Sequence, residues 1–135
     1  MKMFDVQGIH LQTTQKQAFS YIADPAQLPQ WTKAFAAVTP GKAVLRTPNG
    51  EVEIGLVVQS SAEQGTIDWL MTFPDSSVAT AFSRVVKLDS KNCVYTFILT
   101  PPPVALEMLE GALEAQSRII AEELQKLKKI LENHG

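Results

Sequence analysis

The stretch YIADPAQLPQW, from Tyr21 to Trp31, contains two prolines that interrupt a helical sequence. A residue before proline is pushed out of the α region, so Asp24-Pro25 ends the helix that precedes it. Asp24 is also a good N-cap and Pro25 is well tolerated at the first helical position, so a second helix begins there. Pro29 limits this second helix to about one turn. The sequence therefore predicts two short helices, broken at Asp24-Pro25, with Trp31 at their exit.

The residues before this break predict a strand and a helix start. Residues from Met3 to Leu11 mix β-branched, aromatic and polar side chains, which is typical of a strand. Thr14 and Gln17 then have the spacing of a capping box, in which each side chain satisfies a backbone N–H of the other residue. The first short helix therefore begins after Thr14.

After Trp31 the pattern changes to the period of β-strands. Asn49-Gly50 is a strong hairpin signal between AVLRT and EVEIGLVVQS, because both residues tolerate positive φ. The breaks that follow are rich in turn residues, and short connections between consecutive strands imply an antiparallel meander. Three more strands are predicted in the segments TIDWLMTF, VATAFSRVVKL and CVYTFILT.

From about Val104 to Asn133 the apolar residues recur at three- and four-residue steps, which predicts one long amphipathic helix. A coiled-coil partner is an alternative occupant of its apolar stripe, but the sheet has an apolar face of its own that must be covered. No repeat or linker interrupts the chain, so residues 1–135 are predicted to form a single domain. The stripe consists of Leu106, Leu109, Leu113, Ile120, Leu124, Leu127 and Leu131.

The facing of the central strands follows from the hairpin turns, because directly opposed residues share a face. If the turn PDSS pairs Phe73 with Val78, and DSKN pairs Leu88 with Cys93, the two registers agree on one inner face. That face is aromatic and includes Arg84, a permanent charge that needs a partner if it is buried. Its predicted members are Ile67, Trp69, Met71, Phe73, Phe82, Arg84, Val86, Tyr95, Phe97 and Leu99. The predicted solvent-facing set is Asp68, Thr72, Ser83, Lys87 and Thr96, and the inward set of the earlier strand is Val52, Ile54, Leu56 and Val58.

Composition excludes several classes of function. Hydrophobic residues make up 45% and charged residues 19%, as in a globular protein, and a net charge of −2 provides no basic field for nucleic acid. Cys93 is the only cysteine, so neither an intramolecular disulfide nor a cysteine metal site is expected. The start lacks a signal-peptide pattern, and no run approaches about 18 apolar residues, so no integral membrane association is expected. A cytoplasmic location without metal or cofactor is the prediction.

The order of these elements resembles the START-like, or SRPBCC, superfamily, and its polyketide cyclase/dehydrase-like branch in particular. The resemblance covers nearly the whole chain and rests on the DP…LPQW break and on the final TPPPVALEMLEGALEAQSRIIAEEL. It implies an α+β helix-grip fold: a curved antiparallel sheet wraps around the long C-terminal helix, and two short helices after the first strand plug the open end. Trp31 would then lie near the mouth of a cavity. The members of this superfamily include carriers of lipids and hydrophobic ligands, aromatase/cyclases, and proteins that act on other proteins, so the resemblance carries no shared catalytic motif.

A cavity between the long helix and the aromatic face is the expected small-molecule site. Arg84 would anchor an acidic group of a ligand, or else form a structural ion pair or extend to water at the rim. Gln116 would orient a polar group or bond a backbone carbonyl, and Tyr95 would donate a hydrogen bond or act as a weak acid. Ordinary core packing is the alternative for every ring. The predicted ligand-binding residues are Trp31, Phe35, Trp69, Met71, Phe82, Arg84, Tyr95, Phe97, Leu113, Gln116 and Ile120.

Catalysis has little support from the sequence. His10 and His134 are the only histidines, and neither a catalytic triad nor HExxH nor a glycine-rich phosphate loop is present. The leading hypothesis is therefore a protein that binds, carries or sequesters a small hydrophobic or aromatic molecule. The second is a cyclase, aromatase or dehydratase that uses the same cavity, with Tyr95 and Arg84 as its weak catalytic candidates. The third is a protein-interaction module with a filled core, and formation of a homodimer is left open.

Overall fold

The computed structural model describes residues 4–47, 50–100 and 106–133, and of residues 47 and 106–114 it describes the backbone alone. Met3, Asn49 and Val104, which the sequence assigned to predicted elements, lie outside these ranges. In chain order the elements are β1 (Asp5–Leu11), α1 (Gln15–Ile22), a 3-10 turn (Pro25–Gln27), α2 (Leu28–Trp31), β2 (Phe35–Thr39), β3 (Lys42–Thr47), β4 (Gly50–Ser61), β5 (Thr66–Thr72), β6 (Val78–Asp89), β7 (Asn92–Leu99) and α3 (Leu106–Asn133).

One curved antiparallel sheet contains these seven strands in the order β1-β7-β6-β5-β4-β3-β2. Strands β2 to β7 form a meander, because each pairs with the next, and β1 returns to pair with β7. Together with α3 and the short helices after β1, this confirms the predicted α+β helix-grip fold. Strand β2 was not predicted. Its short sequence FAAVT lacks alternation, and the turn signal Pro40-Gly41 that follows it was overlooked.

The break between the short helices has the predicted capping. The Asp24 carboxylate accepts a hydrogen bond from the backbone N–H two residues on (3.1 Å), and the Thr14 hydroxyl accepts one from the Gln17 N–H (3.1 Å). The capping box is only half formed, because the Gln17 side chain accepts from the Thr13 hydroxyl instead (2.8 Å). The prediction for Pro29 was wrong: it lies in the first turn of α2, where a missing N–H costs no helical bond, and does not end a helix.

Two polar contacts attach α3 to the end of β1. Lys128 Nζ donates to the His10 carbonyl (2.8 Å), and Glu132 accepts a hydrogen bond from the Gln12 N–H (2.9 Å). Because β1 is an edge strand, these backbone groups have no neighbouring strand on one side, and the helix supplies their partners. The contacts thereby fix where the C-terminal half of α3 lies relative to the sheet.

The hydrophobic core lies between the inner face of the sheet and the helices. The predicted facing of β4 is confirmed, because Ile54 and Leu56 are buried and Val52 and Val58 are half-buried. From α3, the predicted stripe contributes the buried side chains of Leu124, Leu127 and Leu131. The largest fully buried side chains are Tyr95, Leu11, Ile22, Ile67, Leu127, Val85 and Cys93.

The predicted facing of β6 was wrong by one residue. Val78 pairs with Thr72, one position before the predicted Phe73. Side chains alternate along a strand, so a slip of one residue moves each of them to the other face. Of the predicted inward set, the side chains that lie on the outer face are Phe82, Arg84 and Val86, whereas Ser83, predicted to face water, is buried.

Two local features at opposite ends of β6 cause this slip. At one end, the Phe73 N–H bonds to the Ser77 carbonyl (2.9 Å) and Ser76 adopts a φ of 71°, which shortens the loop to three residues. At the other end, a β-bulge between Lys87 and Asp89 adds one residue to β6. Neither feature has a glycine to mark it, so hairpin arithmetic from the sequence misses both.

Gly65 provides a direct test of the tight loop before β5. Its φ is +76°, and a Cβ at this position would lie 2.3 Å from the Val85 carbonyl oxygen. Placing a non-glycine residue in the left-handed region costs about 1–2 kcal/mol. We expect Gly65→Ala to lower the free energy of unfolding by more than this, because the Val85 backbone must also shift. Gly41→Ala is the matched control, since its φ is +77° and nothing lies within 4 Å of the added Cβ. Urea unfolding of both variants measures the difference, and equal losses would contradict the steric explanation.

Candidate functional site

Trp31 and Tyr95 meet inside the protein from two different elements. Trp31 is the last residue of α2, and Tyr95 lies on the inner face of β7. Their ring centroids are 6.5 Å apart and their planes lie at 87°, which is an edge-to-face contact. Trp31 is 3% exposed and Tyr95 0%. The pair therefore joins the end of the short helices to the centre of the buried sheet face.

Each of these two rings carries a polar atom that has no hydrogen-bond partner in the described part of the chain. The atoms are Nε1 of Trp31 and the hydroxyl oxygen of Tyr95. The Trp69 indole and the Ser83 hydroxyl lie near enough to the phenol to lower its pKa, but neither meets the Tyr95 hydroxyl with hydrogen-bond geometry. Leaving a buried donor unbonded costs about 1–3 kcal/mol, so native cores rarely keep two of them in neighbouring side chains.

The Tyr95 phenol keeps its proton at neutral pH. Burial raises the pKa of this phenol far above its ordinary value, and the nearby Glu123 carboxylate raises it further. Tyr95 is thus a neutral hydrogen-bonding group and has no phenolate form with which to act as a base.

Glu123 is a buried carboxylate on α3 that the sequence analysis did not identify. It is 3% exposed, and its Oε2 accepts hydrogen bonds from the backbone N–H groups of Lys33 and Ala34, the latter at 3.3 Å. These two residues follow α2 directly, so Glu123 ties the long helix to the chain beside Trp31. Burial raises the pKa of the Glu123 carboxyl, although the two backbone N–H groups and the Lys33 charge oppose the rise.

The sequence contained a signal for Glu123. It follows Ile120 by three residues and Gln116 by seven, so the three side chains share one face of the helix. Gln116 was recognised as a polar interruption of the apolar stripe, and Glu123 is a second interruption on the same face. Glu122 beside it is exposed and forms an ion pair with the Lys33 ammonium.

The inner face of β6 carries small side chains between strands that carry large ones. Ala81 directly opposes Trp69 across the β5–β6 pair, and Ser83 directly opposes Phe97 across the β6–β7 pair. The bulkier Phe82 between them points outward. Ala81 and Ser83 occupy little volume beside the neighbouring rings. The side chains at the middle of the inner face therefore extend less far from the sheet than those of Trp69 and Phe97 on either side.

Most of the predicted site residues on the sheet lie on its inner side. Trp69 and Phe97 are buried, whereas Phe35 and Met71 are half-buried against the core. These four residues come from β2, β5 and β7, so three strands contribute side chains to the inner side of the sheet.

The predicted site residues on α3 have separate outcomes. Ile120 packs against the core and Gln116 is half-buried. The side chain of Leu113 lies outside the described part of the chain.

Arg84 and Phe82 do not belong to this interior cluster. Phe82 is 42% exposed on the outer face of β6. Arg84 is also exposed there, and its Nε donates to the Gln64 carbonyl (3.1 Å). The proposed ligand anchor and the proposed ion pair with a helix glutamate are therefore both excluded for Arg84, because its side chain faces away from α3.

The described residues contain no cluster of three or more side chains that could hold a metal ion. His10 is exposed and its Nε2 lies 2.8 Å from the Asn92 side-chain oxygen, while His134 lies outside the described ranges. Within those ranges, no helix is both long and apolar enough to cross a membrane. The buried titratable side chains in the described part of the chain are Asp5, Cys93, Tyr95 and Glu123.

A separate open cleft of about 470 Å³ lies beside α1 and the 3-10 turn. Its lining residues are mostly of polar types, and neither Trp31 nor Tyr95 is among them. The lining residues are Thr13, Lys16, Gln17, Ser20, Tyr21, Asp24, Gln27 and Leu131.

No protein-family model and no curated protein sequence matches the chain. Solved structures match it over nearly its whole length. A START superfamily protein from Mycobacterium smegmatis matches with a TM-score of 0.69 at 10% identity, covering 98% of this chain and 99% of that one.

Two aromatase/cyclase structures also match. The Zhui aromatase/cyclase from Streptomyces sp. R1128 has a TM-score of 0.65 at 9% identity, with 97% of this chain and 92% of that chain covered. The di-domain ARO/CYC StfQ from the steffimycin biosynthetic pathway has a TM-score of 0.68 at 14% identity, with 98% of this chain and 51% of that chain covered. At these identities the likeness shows a START-like fold, as the sequence predicted, and leaves the ligand and any reaction open.

Glu123 makes a testable contribution to stability. Glu123→Ala removes the acceptor of two backbone N–H groups in the interior, so we expect it to lower the free energy of unfolding by about 1–3 kcal/mol. Glu122→Ala is the matched control on the next residue, and we expect it to change stability by less than about 1 kcal/mol, because its ion pair is exposed. Equal losses in the two variants would contradict the structural role of Glu123.

The pH dependence of Glu123 has a defined sign. Its folded pKa lies above the value of 4.5 for a free glutamate, so the folded state holds the proton more tightly than the unfolded state. The contribution of the Glu123 carboxyl to the free energy of unfolding is therefore fully present below pH about 4.5, and it is lost as the pH rises through the folded pKa. Glu123→Gln keeps an oxygen acceptor but cannot titrate. We therefore expect the stability of the wild type, measured relative to Glu123→Gln by urea unfolding, to fall with rising pH. A pH-independent difference would show that the carboxyl titrates normally.

Proposed function

We propose that the protein binds a small hydrophobic or aromatic molecule between the inner face of the sheet and α3. The observation that carries this proposal is the pair of buried polar atoms without a partner, Trp31 Nε1 and the Tyr95 hydroxyl, in a mainly apolar and aromatic interior. Small-molecule sites have this composition: mainly apolar walls with a few polar groups that fix the orientation of the ligand. The START-like fold supports the same location.

The distribution of side-chain size along β6 is a second support. A strand in a filled core places its larger side chains inward, because the inner face is where apolar area is removed from water. In β6 the order is reversed near the middle, with Ala81 and Ser83 inside and Phe82 outside. Small inward residues between Trp69 and Phe97 fit a sheet that must accept another molecule above its centre.

The ligand would enter beside the connection from α2 to β2. Trp31 ends α2, and Glu123 holds the backbone of the next residues against α3. These two hydrogen bonds can be lost without breaking a strand pair, and local opening of this kind would provide an entrance beside Trp31. The expected partner is a small hydrophobic molecule, and a cytoplasmic location remains a prediction from the sequence.

An enzyme of the cyclase, aromatase or dehydratase type is the second candidate, favoured by the likeness to aromatase/cyclase structures. Tyr95 could donate a hydrogen bond to a reacting oxygen, and Glu123 is a buried acid on the facing helix. Arg84 has no part in this version, because it lies on the outer face. A turnover that disappears in Tyr95→Phe while binding persists would support catalysis over binding alone.

Ala81→Leu tests the proposal without knowledge of the ligand. Adding a large side chain opposite Trp69 to a filled core costs about 1–3 kcal/mol of overpacking. If the space above Ala81 accepts a ligand, we expect the variant to be as stable as the wild type or more stable. Thr80→Leu is the control on the neighbouring outer-face position. A loss of more than about 1 kcal/mol in Ala81→Leu alone, by urea unfolding, would support a filled core and hence a protein-interaction module.

The corresponding binding measurement uses the intrinsic fluorescence of Trp31 and Trp69, the two tryptophans of the chain. We expect saturable changes with some members of a panel of naphthalene derivatives, phenols and lipids, because both indoles belong to the buried aromatic cluster. Ala81→Leu should weaken binding at least about tenfold by filling the same space, whereas Thr80→Leu should leave it unchanged. No response of the wild type across the panel would contradict the proposed function.

A further inference from the structure

We propose that the ligand of this interior site is an electrically neutral molecule that offers a hydrogen-bond acceptor, such as a carbonyl or ether oxygen, to Tyr95 and Trp31. This inference rests on the proposed function and adds the chemical class of the ligand. It opposes the expectation from sequence, in which Arg84 would have anchored an acid.

The first support is the donor character of the two unpaired groups. An indole N–H can only donate, and a protonated phenol hydroxyl donates as well as accepts. Both atoms are inaccessible to solvent, and the rings that carry them are in edge-to-face contact. An oxygen with two lone pairs can accept from both groups together, which would recover the cost of burying them unbonded.

The second support is the position of the basic side chains. Every lysine and arginine in the described ranges is exposed except Lys128, which is half-buried. The Lys128 ammonium donates to the His10 carbonyl at the end of β1 and to the Glu132 carboxylate on α3. A carboxylate or phosphate that entered the interior would therefore lose its hydration without gaining a cationic partner from these residues.

The third support is Glu123, the buried carboxylate on α3. It acts on the Tyr95 phenol electrostatically, so an anion bound at that phenol would be repelled as well. A cationic ligand fits no better, because an ammonium group has only donors and would leave the Tyr95 and Trp31 donors unpaired. Glu123 itself already accepts the two backbone N–H groups of Lys33 and Ala34. A neutral acceptor on an apolar skeleton is the class that satisfies all three conditions.

The test compares three compounds that share one skeleton: 2-acetylnaphthalene, which is a neutral ketone, 2-naphthoate, which is an anion at neutral pH, and naphthalene. Affinities are measured by isothermal titration calorimetry on the full chain. We expect the ketone to bind about three- to tenfold more tightly than naphthalene, as one or two net hydrogen bonds would give, and the naphthoate to bind at least tenfold more weakly than the ketone.

Two variants assign this preference to its donors. Tyr95→Phe and Trp31→Phe each remove one donor and keep a ring, so each should reduce the advantage of the ketone over naphthalene. In Tyr95→Phe the affinity for naphthalene itself should stay within about twofold of the wild-type value. Tyr95→Phe removes an unbonded hydroxyl from the core, so it should fold at least as stably as the wild type. Arg84→Leu is the control, and it should leave all three affinities unchanged because Arg84 lies on the outer face.

The outcomes separate this inference from the proposed function. Binding of naphthoate as tight as that of the ketone, or an unchanged ketone advantage in both donor variants, would overturn the neutral-acceptor inference and leave the binding function standing. A loss of naphthoate binding in Arg84→Leu would overturn the inference too. Failure of all three compounds to bind would count against the proposed function itself and would remove the inference with it.

Discussion

The structure depends on the need to cover one face of a single open sheet. Seven strands bring the inward side chains of β4, β5 and β7 together, and these cannot remain in water. The 28-residue helix α3 provides the cover, with Leu124, Leu127 and Leu131 buried against the sheet. Helices α1 and α2 bury side chains against the rest of this face, so the position of α3 relative to them and to the sheet decides how the core closes. Polar contacts fix that position at the end of β1 and at the chain after α2.

The same arrangement explains why polar groups occur in the interior. A helix that lies across a sheet brings its inward face to the point where the short helices rejoin the strands, and Glu123 meets the backbone N–H groups of Lys33 and Ala34 there. Glu123 thus holds the chain after α2 against α3, and its charge also disfavours a second negative charge in the interior. Trp31 and Tyr95 are brought into contact beside this point. Their neighbourhood combines apolar walls with hydrogen-bonding groups, and this combination is what a site for an oriented, uncharged ligand requires.

The outer face of the sheet is unusually apolar, and this is why the facing of β6 could not be obtained from the pattern. Hydrophobic residues occur on both sides of β6, so alternation gives no preference for one side, and a single miscounted turn residue reverses the assignment. The facing of the adjacent strand β5 was predicted correctly, because its inward positions are large and apolar and most of its outward positions are polar. The exposed large apolar side chains of this outer face include Val6, Val57, Val78, Phe82, Val86 and Ile98.

The sequence by itself determined the features that depend on neighbouring residues: the caps at Thr14 and Asp24, the order of strands in the meander, and the apolar stripe of α3. These follow from local backbone chemistry and from the period of hydrophobic residues, so they can be predicted one segment at a time. Trp69, Tyr95 and Phe97 were also correctly expected to face inward. Only the tertiary structure decided the register of β6, the exclusion of Arg84 from the interior and the burial of Glu123. Each depends on a pairing between segments distant in sequence, set by a bulge, a positive-φ turn residue or a contact across about 90 residues of chain. Local pattern does not encode such pairings, because the free energy that selects them arises only when the helix and the sheet pack together.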